Sequence, residues 1–189
     1  TVLVTPTNEH FPGRANSPEQ MASLVFERVV AYAGMQHWPL QLLPPGSCAP
    51  APDAGVRMVA GPRGSRAVEA DPAPTGLTLS YDPGYVNNPE AMIAVFAHTL
   101  AHHLGTSTTE TPPGGVENWP HVTELLAVFL GFGLMFANTA LVLPRGGCCG
   151  GPVVRRQAYV SQHDITYALA IFSALKGLPP RAVSRHLKK

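Results

Sequence analysis

The sequence is short of charge. Asp, Glu, Lys and Arg together make up 13% of 189 residues, while hydrophobic residues reach 45%; an average soluble domain carries about 25% charged residues. A chain this apolar can bury enough surface to fold, which excludes a self-repelling disordered polymer. It also lacks an excess of either sign, with 13 Lys and Arg against 12 Asp and Glu and a formal charge of +1. The whole-chain field therefore offers no footprint for nucleic acid or for an acidic surface. The local exception is Arg181, Arg185, Lys188 and Lys189, cations that suit the negative end of a solvated last helix. Cysteine is scarce. Cys48 and the adjacent pair Cys148 and Cys149 make no disulfide framework, because sequence neighbours pair only with strain, and GGCCGG has no C-x-x-C spacing. A reducing compartment, the cytoplasm, is the expectation. No basic start leads into a short apolar run and a small-residue cleavage site, so no secretory signal is read. Phosphate-cradling G-x-x-x-x-G-K and nucleophile-bearing G-x-S-x-G are missing, which leaves nucleotide and serine hydrolysis without support. The length suits one domain over 1–189, and 18 Gly with 20 Pro predict substantial irregular connections.

What is present reads as helices between loops. Residues 1–5, TVLVT, are β-branched and apolar, and suggest a short strand. Ser17-Pro18-Glu19-Gln20 has the form of a capping box, predicting a helix from Pro18 to about Ala33 with Gly34 as its stop. Short extended segments at 40–43, 56–60 and 77–81 suggest a small sheet. Asn88-Pro89 opens a second helix continuing through Leu104, with Gly105 as its stop, before the loop TSTTETPPGG at 106–115. Residues 125–143, LLAVFLGFGLMFANTALVL, carry no charge over nineteen positions. That length qualifies as a membrane span. Glu124 at its entrance, Asn138 and Thr139 within it and the lack of a second such segment favour a buried central helix. Gly131 and Gly133 would let another helix approach closely, at about 1 kcal/mol each in propensity. Ser161 and Asp164 cap a further helix to Lys176, closed by Gly177 and Pro179.

Chemistry concentrates in residues 96–104, FAHTLAHHL. His98 and His102 are four apart, so on a helix they share a face one turn apart and can share one metal ion; His103 points elsewhere. A histidine pair of this kind is by itself a weak signal, and further ligands must come from another element. Glu117, His121 and Glu124 sit at i, i+4 and i+7, on one face of any helix beginning there. Either His121 or Glu124 can complete three ligands and leave a position open for water. Glu124 also suits the positive end of a helix with or without metal.

The run HTLAH at 98–102 is similar to HELAH, a version of the zinc-metallopeptidase signature H-E-x-x-H. VTELLAVFLGFGLMFANTAL at 122–141 resembles the downstream motif of a family of bacterial zincin-like proteins of largely unassigned function, in which HELAH is followed by a TDLL-type segment and VFLGFG. The segments PTNEHFPGRANSPEQ at 6–20 and ITYALAIFSALKG at 165–177 also look like that family's ends. The resemblance implies a metal-binding domain related to thermolysin-type peptidases. Its expected fold is α+β and mainly helical, a zincin-like helical core with a small β element, and its expected cofactor is Zn²⁺. Two departures matter. Thr99 stands where the signature has its general base, and a hydroxyl is no base near neutral pH, so about 10²–10⁴-fold is lost from hydrolysis. The family's Glu and Asp, four apart, fall on Pro120 and Glu124, so the usual third ligand is absent and Glu124 or His121 must substitute. Glu117 or Glu110 could stand in as base, without spacing that compels it. The expectation is a metallopeptidase-related zinc-binding pseudoenzyme with His98, His102 and either Glu124 or His121 as ligands, acting on a peptide or protein partner. The alternatives are a metal-free scaffold or interaction module with remnant histidines and, with less support, a chain anchored in a membrane by residues 125–143.

Overall fold

The computed structural model of the chain describes residues 1–45, 77–139 and 159–188. The capping box forms at the start of helix α1 (Pro18–Ala33): the Gln20 backbone N–H donates to Ser17 Oγ at 3.2 Å. The Gln20 side chain reaches back one residue further than the usual box, accepting from the Asn16 N–H at 2.9 Å. Gly34, at φ +74°, ends the helix in the left-handed conformation that glycine adopts without strain. Ala22, Val25, Phe26 and Val29 turn inward.

Strands β1 (Leu40–Leu43) and β2 (Leu77–Ser80) form a two-stranded parallel sheet in which Leu40 lies opposite Leu77 and Leu43 opposite Ser80. The candidate strand at 56–60 lies outside the described residues. Residues 1–5 are not a strand. Val4 instead donates its N–H to the Gly131 carbonyl at 2.9 Å, so the segment's apolar character serves docking against the body of the protein.

A 3-10 turn over Pro83–Asn87 leads into helix α2 (Pro89–Thr106), capped by the Asn88 side chain, which accepts from the Ala91 N–H at 3.2 Å. Every residue from Ala91 to Ala101 is buried. A helix buried all round must sit between other helices, and α2 is packed by α1, by helix α3 (Trp119–Ala127) and by helix α4 (Gly133–Thr139). Phe26 of α1 meets Phe96 of α2 edge to face, with ring centroids 5.4 Å apart. Gly105 does not stop α2. The last carbonyls are covered by hydroxyls, Thr106 Oγ1 on His103 O and Ser107 Oγ on Leu104 O, both at 2.6 Å, so no left-handed glycine is needed.

The long apolar segment is not one regular helix. A 3-10 turn (Val116–Asn118), α3, a π turn (Val128–Phe132) and α4 follow one another, with Gly131 at φ +105° inside the π turn. A Cβ at Gly131 would collide with the Val2 carbonyl oxygen. The approaching element is thus the N-terminal segment, and the glycine is required by φ as well as by space. Gly133 is where a helix comes close: a Cβ there would lie 2.9 Å from Leu169 Cδ1 of helix α5 (Gln162–Leu175). By length and composition alone Val116–Thr139 could cross a membrane, but of its most apolar 18-residue window, with mean hydropathy 1.6, 67% is buried inside the protein. Residues 140–143 of the expected span lie outside the described residues.

Ser161 caps α5, accepting from the Asp164 N–H at 3.2 Å. Helix α6 (Pro180–Ser184) follows and the chain returns to the core. Asn138 holds it there, donating to the His186 carbonyl and accepting from the Lys188 N–H, both at 2.9 Å. Lys188 Nζ sits 2.9 Å from Glu90 Oε2. The C-terminal basic run is therefore partly docked: Arg181 and Arg185 are exposed, while Lys188 closes on the first turn of α2.

Candidate functional site

The histidine motif lies in the most enclosed part of the molecule. His98 and Thr99 are each 3% exposed, His102 is half-buried, and Glu124 on the neighbouring α3 is fully buried. The i, i+4 placement of His98 and His102 on one helix is as expected, and α3 packs against that helix. The acidic side differs. Glu117 lies in the 3-10 turn before α3, while His121 and Glu124 lie on α3, and the three do not share one environment. Glu117 and His121 are exposed while Glu124 is buried.

Several side chains at and around the motif are engaged within the fold. Thr99 Oγ1 donates to the Val95 carbonyl at 3.0 Å, the back-bond that a helical threonine makes to its own preceding turn. Glu124 Oε2 accepts from the Val160 N–H at 2.9 Å and so ties α3 to the residues just before α5. The His121 ring lies edge to face with Tyr159, centroids 6.1 Å apart. His103 stacks edge to face on Trp38 at 5.2 Å, and burial holds its imidazole below the ordinary range.

Zinc, the ion that the resemblance implies, needs at least three protein donors around one point. Among the described residues no group of three or more His, Cys, Asp or Glu side chains is gathered to hold a metal ion. His98 and His102 share a helix face, but neither Glu124, held by Val160, nor the exposed His121 joins them in such a group. Cys48, Cys148 and Cys149 lie outside the described residues. A cavity of about 550 Å³ opens where the loop after α2 crosses α3; Glu110 and Trp119 line it, but neither His98 nor His102 does. Glu110 is thus on a cleft, away from the histidine pair.

Comparison with known proteins gave no match among family models, curated proteins or solved structures. Sequence reasoning missed the double hydrogen bond of Asn138 to the C-terminal segment, which was legible only as a polar residue inside an apolar run. It also passed over Tyr167, Ile171 and Leu175, which α5 leaves exposed. Their i, i+4, i+8 spacing was the available signal.

Proposed function

We propose that the chain is a metallopeptidase-related protein without peptidase chemistry, a zincin-type helix pair that serves as a scaffold or as a module for a peptide or protein partner. The observation that carries this reading is the position of Thr99. It occupies the place of the general base, is buried, and gives its hydroxyl to Val95, so no carboxylate stands ready to activate water there. Glu124 supports the same reading, because its carboxylate receives the Val160 N–H. The test is hydrolysis of a mixed fluorogenic peptide set by the untagged full chain, with zinc supplied. The expected result is no turnover above that of the His98→Ala variant; turnover abolished by His98→Ala would overturn the reading.

A second reading keeps the zinc. It is favoured by His98 and His102, which stand one turn apart on α2, His98 almost fully buried. In that case His98 and His102 would be ligands with Glu124 or His121 as the third, and Glu124 would have to give up or share its bond to Val160. Metal content separates the two readings.

A further inference from the structure

Between the loop at 6–16, α1 and the start of α2 lies a cavity of about 460 Å³, which neither His98 nor His102 lines. Met21, Leu24 and Val25 of α1, Ile93 of α2 and Phe11 of the loop give it an apolar floor. A concave space of about 300–1,000 Å³ with an apolar lining and a few polar groups is the usual form of a small-molecule site. The loop wall is held in place by its own bonds. Tyr32 donates its hydroxyl to the His10 carbonyl at 3.0 Å. Thr7 Oγ1 lies 2.8 Å from Thr5 Oγ1, which in turn lies 2.8 Å from His10 Nδ1. Gly13, at φ +129°, brings the loop onto Leu24 in a backbone conformation that residues with a side chain rarely adopt. A wall fixed in this way loses little freedom when a ligand binds.

The polar side of the cavity carries one sign. Among the described residues Arg14 is the only ionised side chain that lines it, beside the amides of Asn8 and Asn16. None of these three side chains makes a hydrogen bond or ion pair among the described residues. Glu9, Glu19 and Glu90 neighbour lining residues in sequence, yet none of them lines the cavity. Glu90 faces Lys188 instead, and Glu19 is hydrogen-bonded to Ser17 and to its own N–H. A guanidinium fork matches a carboxylate, which can accept two parallel bonds from it, and amide hydrogens add to the same recognition. A phosphate monoester, with nearly two charges, would call for a second cation. We propose that this cavity binds a small carboxylic acid with an apolar body, its carboxylate on Arg14 and its body against α1 and α2. Walls from three separate segments suit a short ligand better than a peptide running across the surface.

The test is titration of the isotope-labelled, untagged full chain with octanoate, octanol and octylamine, probes that share a body and differ in the head, followed by amide NMR. Octanoate is expected to saturate at millimolar concentration or below and to shift amides over 7–16, 21–25 and 91–93. Arg14 is exposed, so Arg14→Gln should weaken octanoate by about fivefold, the upper range for an exposed charge pair. The same variant should leave octanol unchanged, with helical circular dichroism preserved. Arg14→Glu should reverse the order of the charged probes, so that octylamine binds more tightly than octanoate. The absence of saturable shifts with octanoate overturns the proposal, as do shifts confined to other residues. Equal effects of Arg14→Gln on octanoate and octanol overturn the assignment of the carboxylate. A short peptide ending in leucine that binds the same residues more tightly than octanoate assigns the cavity to a chain end and overturns the proposal too.

Discussion

Helix α2 and the segment Val116–Thr139 are two long, largely buried apolar stretches of the described chain, and they are built in opposite ways. α2 runs unbroken for 18 residues, buried on every side from Ala91 to Ala101, with the hydroxyls of Thr99 and Thr106 bonded to carbonyls of its own turns. Val116–Thr139 changes geometry three times, from 3-10 to α to π and back to α. Its carbonyl at Gly131 and its carboxylate at Glu124 hold other parts of the chain. The first is a central post and the second is a bracket around it. The lesson is that the histidines sit on the element least able to move, while the acidic partner the sequence offers them sits on an element committed to holding neighbours.

The sharpest way to break this comparison is at the bend. Gly131→Ala forces a side chain into a left-handed backbone against the Val2 carbonyl, and should destabilise by about 3 kcal/mol from backbone strain and overpacking together. For a chain of this size that lowers the thermal midpoint by about 6–12 °C. Gly133→Ala, two residues on, meets the movable side chains of Leu169 and Val128 and gains helix propensity of about 1 kcal/mol, so its midpoint should stay within a few degrees. Equal losses in thermal melts of the two variants would show that the bend is ordinary close packing.

A smaller effect is expected where α4 holds the C-terminal segment. Asn138→Ala removes the bonds to His186 and Lys188, at about 1 kcal/mol each. Hydrogen exchange should quicken over 180–188 and leave α2 unchanged. Faster exchange throughout α2 would mean that the segment is part of the central post.

The smallest effect is a matter of pH. Burial lowers the His103 pKa from its ordinary 6.5. The unfolded chain therefore takes up a proton at a higher pH than the folded one. The contribution to stability is complete above the unfolded value and falls as pH drops through it toward the folded value. In denaturant titrations His103→Gln should flatten the decline below about pH 6.5; an unchanged slope would assign it to other groups.

Much of the frame was legible because its signals are local. Ser17 with Gln20, Gly34, Asn88 with Pro89 and Ser161 with Asp164 each act within one helical turn, and each does what its sequence spacing implies. The bend at Gly131 was not legible, because its cause is the Val2 carbonyl, which is 129 positions away in sequence. The shared face of Glu117, His121 and Glu124 failed for a different reason. Spacings of four and three give a shared face only on a continuous α-helix; the 3-10 turn before Trp119 interrupts it for Glu117, and His121 and Glu124, three apart on α3, fall on either side of the boundary between exposed and buried surface. Gly105 misled because hydroxyls of Thr106 and Ser107 did the capping. At the candidate site, sequence gave the helix face of His98 and His102; which acidic group could join them depended on the tertiary bond between Glu124 and Val160.

The central proposal is that Thr99 and Glu124, beside His98 and His102, serve the fold and that the histidine pair holds no metal. Zinc content settles it most directly, by elemental analysis of the untagged wild-type chain after zinc loading and dialysis, beside His98→Ala and His102→Ala. The account predicts well below one zinc per chain and no difference among the three proteins. About one zinc per chain in wild type, lost in both variants, would contradict it.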